Sequence, residues 1–126
     1  MNKGSKLYSI LTSTCPRCHE SKVFTHHIYK ITKMTSMLPK CPTCGQSTEP
    51  EPMFFTGAMY VSYAFSIAIV AGTFIGFNIF SDDPSPGSMV LIGTLVAICF
   101  APVNLRLSRM IWFNVFVKFD PKANQK

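Results

Sequence analysis

Charged side chains are few in this chain and are missing from two long stretches. Twelve residues are Lys or Arg and only six are Asp or Glu, so the net charge is +6. Residues 53–81 and 84–105 carry no charge, and only Asp82 and Asp83 lie between them. Because ionisable groups inside apolar spans are the usual mark of transporters and proton relays, their absence argues against both functions.

The polar part of the chain also lacks the side-chain pairs that catalysis uses. No nucleophile–base pair and no close pair of carboxylates lies near the cysteines. Glu49 and Glu51 are separated by a proline in a linker. We therefore expect no catalytic residue, and a protein that is not an enzyme.

The two uncharged stretches are long enough to cross a lipid bilayer. They contain 29 and 22 residues, and a helix needs about 20 apolar residues to cross the hydrocarbon core. Helices in the core of a small soluble domain keep a polar face, which argues against a buried hairpin. The apolar stretch within the N-terminal MNKGSKLYSILTS is too short for the apolar region of a signal peptide. We predict two transmembrane helices within 53–105, at about 57–80 and 88–105.

All the Lys and Arg residues lie on one side of this predicted hairpin. Seven precede the first span, five follow the second, and the connecting SDDPSPGS has none. Because Lys and Arg accumulate in cytoplasmic loops, we predict a multi-pass protein of the bacterial inner (cytoplasmic) membrane with both termini in the cytoplasm. Anionic lipid headgroups account for lysines near a membrane, and residues 1–52 have a net charge of only +4. We do not expect nucleic acid as a partner.

Small residues recur at every fourth position of both spans. Such rows let helices approach closely in lipid, so they favour a tightly packed pair or a homo-oligomer. Glycine and alanine are common in membrane helices, so the rows also arise by chance. The residues in these rows are Ala64, Ala68, Gly72 and Gly76 in the first span, and Gly93, Ala97 and Ala101 in the second.

The segment after the second span carries features of a membrane interface. Pro102 and Asn104 are expected to end or kink the helix, and Arg106, Arg109 and Trp112 follow. We predict a cytoplasmic interfacial helix and tail over 106–126, with continuation of the second span as the alternative. A belt that faces lipid or a partner is expected at this membrane edge. Its predicted members are Gly57, Met59, Tyr60, Tyr63 and Trp112.

Four of the five cysteines form two C-x-x-C pairs. Cys15 and Cys18 lie in CPRC, and Cys41 and Cys44 lie in CPTCG, with 22 residues between the pairs. This spacing is typical of a tetrahedral four-thiolate site in which each pair forms one tight turn. Gly45 can adopt the left-handed conformation that such turns need. Since cytoplasmic thiols stay reduced, disulfides are not expected.

The four thiolates leave no open coordination position, so we interpret the site as structural. Zn²⁺ is the expected ion, and iron is the alternative because it binds to the same kind of C-x-x-C turn, or knuckle. The first knuckle contains Cys15 and Cys18, and the second contains Cys41 and Cys44. The site defines an N-terminal zinc ribbon with a short β-hairpin, and residues 1–52 form this cytoplasmic domain and its linker.

Two features near the cysteines allow other interpretations. CPRCH, from Cys15 to His19, also matches covalent haem attachment. That reading leaves the second pair without a purpose and conflicts with a cytoplasmic location. His26 and His27 lie in KVFTHHIYKI, which is predicted to be a strand. Adjacent residues of a strand point to opposite faces, so these two histidines are not expected to share a metal ion.

These motifs together resemble a bacterial family of small membrane proteins, domain of unknown function nine-eight-three, in a form typical of Bacteroidetes. The resemblance covers nearly the whole chain, although many members have glycine at the positions of Ser21 and Met53. It implies a zinc-ribbon membrane protein. The residues that carry it are Cys15, Pro16, Cys18, Phe24, Cys41, Pro42, Cys44, Gly45, Glu51, Pro52, Gly57–Ser62, Tyr63, Ala64, Pro102, Arg106, Ser108, Arg109 and Trp112.

The sequence therefore predicts a small membrane protein with a zinc ribbon, an antiparallel transmembrane hairpin and a C-terminal interfacial helix. A short proline-containing linker would keep the ribbon at the membrane surface. That placement favours a non-enzymatic adaptor or assembly factor for a membrane complex. The alternative is an iron–thiolate redox or metal-handling protein that acts with a membrane partner.

Overall fold

Three helices and an irregular cysteine-bearing segment make up the described part of the chain. The structure, a computed structural model, describes residues 4–123. Helix α1 is Lys6–Thr12, α2 is Thr56–Phe80 and α3 is Pro86–Phe116. The segment between α1 and α2 contains both cysteine pairs, and we call it the ribbon segment. The two long apolar helices agree with the predicted hairpin.

Helices α2 and α3 are both long enough to cross a membrane. They contain 25 and 31 residues, and with a rise of about 1.5 Å per residue each exceeds the ~30 Å hydrocarbon core. Ser85 caps α3 by accepting a hydrogen bond from the backbone N–H of Ser88 at 3.4 Å. The most apolar 18 residues of α2 are 0% buried within the chain, and those of α3 are 6% buried. This surface therefore needs lipid or a partner to cover it.

Helix α3 continues through Pro102 and ends only at Phe116. Residues 106–116 therefore continue the helix of the second apolar stretch, which is the alternative given above, and do not form a separate helix. A proline removes one backbone hydrogen bond, but neighbouring elements can offset this cost. Here Met110 and Phe113, both fully buried, hold the last turns of α3 against the ribbon segment.

The predicted β-hairpin of the ribbon is not found among residues 4–123. Pairing there is limited to three isolated antiparallel bridges, and of the predicted strand KVFTHHIYKI only Lys22 and Phe24 take part in them. A short isolated hairpin is marginal in water, and metal coordination can supply the folding free energy that a sheet would give. The bridges are Thr14 with Lys22, Phe24 with Met37, and Lys40 with Ser47.

A small core lies where the ribbon segment meets the helices. Val23 of the ribbon segment, Phe55 and Ala58 at the start of α2, and Met110 and Phe113 of α3 form its main apolar part. Cys15, Cys18 and Cys41 belong to the same buried cluster. The last third of α3 is therefore the support that places the cysteines at one end of the hairpin.

Helix α1 packs against the same part of α3. The Asn114 side chain of α3 donates a hydrogen bond from Nδ2 to Ser9 Oγ at 3.3 Å. Ser9 in turn donates to the backbone carbonyl of Thr14 at 2.7 Å. This buried chain of hydrogen bonds connects α3, α1 and the start of the first knuckle.

The glycines of the small-residue rows do not mediate close packing of the helix pair. A Cβ placed at Gly72, Gly76 or Gly93 would meet no atom within 4 Å. By contrast, Asn104 Nδ2 of α3 donates to the carbonyl of Ser62 at 3.1 Å and to Ser66 Oγ at 3.0 Å. A polar bridge, rather than glycine packing, therefore joins the two helices.

Candidate metal centre

The structure brings the four predicted ligands into one cluster. The sulfurs of Cys15, Cys18, Cys41 and Cys44 all lie within 4.8 Å of one another. The sulfurs of Cys15 and Cys44 are 3.7 Å apart, and those of Cys18 and Cys41 are 3.6 Å apart. A tetrahedral ion at about 2.3 Å from four sulfurs separates them by about 3.8 Å, so the cluster fits such an ion.

The two cysteine pairs form equivalent turns. The backbone N–H of His19 donates to the carbonyl of Cys15 at 2.8 Å, and that of Gly45 donates to the carbonyl of Cys41 at 2.9 Å. In each turn the residue that donates this hydrogen bond is in the left-handed conformation, with φ of 57° at His19 and 70° at Gly45. Glycine adopts this conformation readily, whereas histidine does so at a cost.

Side chains join the two turns outside the sulfur cluster. Arg17 Nη1 donates to Gln46 Oε1 at 3.3 Å. The hydroxyls of Ser21 and Thr43 share a hydrogen bond. Through this bond the Ser21 hydroxyl connects the two cysteine turns. Met53 has φ of 61°, a conformation that glycine adopts without strain and other residues at a cost.

Burial and backbone dipoles act in opposite directions on the thiols. Burial raises the pKa of Cys15 far above its ordinary value, and it also raises the pKa of Cys44. Burial opposes ionisation of Cys41 as well, but the backbone N–H groups of Cys44 and Thr43 lower its pKa to about 7. Thiolates are the form that binds metal, so an ion must displace protons from Cys15 and Cys44.

The C-terminal segment after α3 covers the first knuckle. The ring of His19 is buried, with its centroid 4.5 Å from that of Phe119. The backbone N–H of Asp120 donates to the carbonyl of Arg17 at 3.0 Å. Because the sulfurs of Cys15 and Cys18 face the other cysteine pair, CPRCH is placed as half of a four-thiolate site.

Two arginines of α3 hold the loop between the knuckles. Arg106 Nε donates to the carbonyl of Met34 at 2.8 Å, and its Nη2 donates to the carbonyl of His26. Arg109 Nη1 donates to the carbonyl of Thr35 at 3.0 Å. These bonds satisfy loop carbonyls that have no sheet partner. Sequence reasoning placed both arginines at the membrane interface and missed that they anchor the ribbon segment.

The same guanidinium groups lie over aromatic rings. Arg106 Cζ is 4.5 Å from the ring centroid of Phe24, and Arg109 Cζ is 4.8 Å from that of Phe55. Such cation–π contacts add to the hydrogen bonds when the site is partly desolvated. Each arginine therefore joins α3 to the ribbon segment in two ways.

The five residues of the predicted belt divide into two groups. Met59, Tyr60 and Tyr63 are 69–76% exposed on α2. Trp112 is half-buried and packs on Gly57, and its Nε1 donates to the carbonyl of Phe54 at 2.8 Å. Gly57 and Trp112 are thus an internal contact of the chain, whereas the other three remain candidates for a belt.

His26 and His27 are not on opposite faces of a strand. Both line one cavity beside Arg106, because the segment that contains them turns instead of extending. Neither belongs to the sulfur cluster.

Comparison with known families assigns the chain to a family. The family model described as "Protein of unknown function (DUF983)" matches residues 31–116, about two thirds of the chain. The chain belongs to this family. The matched region contains Cys41 and Cys44, both long helices and the two anchoring arginines, whereas Cys15 and Cys18 precede it. No curated protein and no solved structure shows significant similarity to the chain.

Proposed function

We propose that this member of the family is a non-enzymatic adaptor or assembly factor of the bacterial inner membrane. It carries a structural zinc ribbon on a two-helix anchor, with both termini in the cytoplasm. The observation that carries the proposal is the firm attachment of the four-cysteine site to one end of an apolar hairpin. A surface beside the membrane is thereby held in a constant position.

The membrane placement is supported by charge and by uncovered apolar surface. The most apolar parts of helices α2 and α3 are almost entirely unburied within the chain. Basic residues accumulate at the ribbon end, whereas the turn between the helices contains Asp82 and Asp83. By the positive-inside rule, the ribbon lies in the cytoplasm and the acidic turn lies outside.

The structural role of zinc is supported by how little else holds the ribbon segment. Three isolated bridges replace a sheet, and the apolar core of the ribbon segment is small. Four thiolates that join the two knuckles would supply most of its folding free energy. With four protein ligands the ion has no open position for a substrate.

The adaptor role is supported by exposed apolar side chains beside the ribbon. Met53 is 77% exposed, and Met59, Tyr60 and Tyr63 continue this surface along the first turns of α2. Methionine and tyrosine suit both a membrane boundary and a protein partner. We expect a membrane-protein partner or a second copy of the chain on this surface.

A photo-crosslinking residue tests this role in native membranes. Placed at Tyr60, it lies on the proposed surface, and placed at Phe80, it lies at the far end of α2 as a matched exposed control. We expect a discrete protein adduct from position 60 that is absent from position 80. Identical adducts from both positions would contradict a partner surface at the ribbon end.

A second candidate function is electron transfer through iron in the same four thiolates. It is favoured by one observation: Cys44 is only half-buried, whereas the other three sulfur-bearing residues are buried. A partly exposed ligand gives a partner a short path to the ion. Metal content and the visible absorption of the detergent-purified protein distinguish the two candidates. One zinc per chain without colour supports the structural site, and iron with thiolate charge-transfer bands supports the redox protein.

A further inference from the structure

A polar cavity of about 400 Å³ lies between the end of α1, the loop after the first knuckle, and α3. Four nitrogen-bearing side chains line it, and none of the described residues that line it carries a carboxylate. The four are Lys22, His26, His27 and Arg106. The cavity is separate from the sulfur cluster, and nothing in the proposed adaptor role uses it.

Arg106 is held rigidly at the wall of this cavity. Its Nε and Nη2 atoms donate to the carbonyls of Met34 and His26, and its guanidinium lies over the ring of Phe24. A guanidinium has five N–H donors, and the contacts within residues 4–123 use two of them. The remaining donors are available to an oxyanion, which planar guanidinium groups bind well.

The electrostatic field around the cavity is positive. Desolvation and the nearby charges of Lys30 and Lys33 lower the pKa of His26. Lys22 is exposed at the cavity wall. Cations gathered without a described carboxylate among them repel one another, so a bound anion would stabilise the arrangement.

The position of the cavity points to the source of the anion. A helix needs about 20 residues to cross the hydrocarbon core, and in α3 those residues end next to Arg106. The cavity therefore lies at the level of the lipid headgroups if the proposed membrane placement holds. The loop beside it also exposes Tyr29 and Ile31, which are 67% and 83% accessible. Aromatic and aliphatic side chains flanked by lysines are typical of a membrane interface.

We propose that this cavity binds a phosphate group, supplied by an anionic phospholipid of the leaflet on the ribbon side. Arg106 donates to the phosphate from a fixed position, while Lys22 and His27 approach from the loop. The lipid would then hold the ribbon segment against the membrane surface. Only the lipid source rests on the proposed membrane placement, since the phosphate chemistry follows from the cavity itself.

Native mass spectrometry of the metal-loaded full chain in non-ionic detergent tests the proposal. The probes are dihexanoyl phosphatidylglycerol, dihexanoyl phosphatidylcholine and inorganic phosphate, all soluble without a bilayer. The double variant K22Q/H27Q removes two exposed cavity residues, and K118Q removes an exposed lysine outside the cavity. Equal metal content shows that each variant retains its fold. Arg106 stays unchanged because it also anchors the loop.

We expect phosphatidylglycerol to be retained by the parent and by K118Q, and to bind about fivefold or more weakly to K22Q/H27Q. Displacement of phosphatidylglycerol by inorganic phosphate would support recognition of the phosphate group. Retention of phosphatidylglycerol in the presence of inorganic phosphate would support recognition of the whole lipid. Binding of inorganic phosphate alone would overturn the lipid source. Equal retention by K22Q/H27Q and K118Q, or equal retention of phosphatidylcholine, would overturn the proposal.

A separate measurement keeps this result independent of the membrane placement. Flotation of the protein with vesicles of neutral lipid tests whether the hairpin inserts. Failure to float would refute the proposed membrane insertion and would not affect the result with the soluble probes. Normal flotation, with equal phosphatidylglycerol binding by K22Q/H27Q and the parent, would refute only the proposed phosphate site.

Discussion

The indole ring of Trp112 lies directly on the backbone of Gly57, and a Cβ at this glycine would overlap the ring. Trp112 Nε1 also donates to the carbonyl of Phe54 at 2.8 Å. The contact fixes the start of α2 against the last turns of α3. It is therefore the point where the ribbon segment and the hairpin become one packed unit.

Replacement of Gly57 by alanine is expected to destabilise this junction. The added methyl group must displace the indole ring and weaken its hydrogen bond, at a cost of about 1–3 kcal/mol. Thermal unfolding in detergent measures the loss. Gly72→Ala is the matched control, because nothing lies within 4 Å of the added Cβ, and it is expected to be neutral or stabilising. Equal effects of both variants would contradict the role of the Trp112 contact.

The arginine anchor is tested by Arg106→Lys. Lysine keeps the charge but cannot donate to the carbonyls of Met34 and His26 from two fixed positions. We expect a loss of about 1–3 kcal/mol, with faster protease cleavage in the loop between the knuckles. Arg17→Lys is the control. Besides a side-chain hydrogen bond to Gln46 at 3.3 Å, Arg17 forms an ion pair with Asp120 that spans 3.7 Å between two partly exposed side chains, and each contact contributes about 1 kcal/mol or less.

Loss of one metal ligand is expected to unfold the ribbon segment and to spare the hairpin. In Cys41→Ala the ion loses a buried thiolate, and with it the folding free energy of metal binding. Limited proteolysis should cut the ribbon segment far faster, while membrane fractionation remains unchanged. A chelator should reproduce this pattern in the parent. Cys99→Ala, an exposed cysteine of α3, is the control, and protease resistance of Cys41→Ala equal to that of the parent would refute the structural role.

Metal affinity is expected to fall steeply as the pH is lowered. Burial raises the pKa of Cys15 and of Cys44, so both are protonated at neutral pH and each releases a proton when the ion binds. These two protons alone correspond to about a hundredfold change in affinity per pH unit. Cys41, with a pKa of about 7, adds a third proton below that pH. Competition with a chromophoric chelator across neutral pH measures the slope, and a flat profile would exclude thiolate ligation.

The polar bridge between the helices is tested by Asn104→Leu. The substitution removes both hydrogen bonds to Ser62 and Ser66, and such bonds between membrane helices contribute about 0.5–2 kcal/mol. Asn78→Leu is the control, because Asn78 is exposed and donates only to Phe74 of its own helix. Unfolding in detergent compares the two. A larger loss for Asn78→Leu would show that the bridge does not stabilise the hairpin.

Hydrophobic length was sufficient to locate the helices but not the end of α3. The first helix was predicted at about 57–80 and is observed at Thr56–Phe80. The second was predicted at about 88–105, because the uncharged stretch ends at Leu105 and because Pro102 and Asn104 were expected to end or kink the helix. Burial of Met110 and Phe113 against the ribbon segment continues α3 beyond this point, and local propensity contains no information about such a contact.

The cysteine cluster was predictable because a metal site depends on a few ligands with short spacing. The rest of the ribbon segment was not, since the alternation in KVFTHHIYKI indicates a strand only where a partner strand exists. Here guanidinium groups of Arg106 and Arg109 satisfy loop carbonyls instead. Helix α1 was missed as well, because seven residues carry too little periodicity to indicate a helix.

The order of the parts along the chain has a consequence for biogenesis. All four sulfur ligands precede α2, whereas Arg106, Arg109 and Trp112 come near the end of α3. A ribosome makes the N-terminal part first, so an ion can be bound before α2 and α3 are synthesised. A nascent chain that ends before Arg106 could bind the ion but would lack the part of α3 against which the ribbon segment packs. The order of synthesis thus allows metal binding before the ribbon segment can attach to the end of α3.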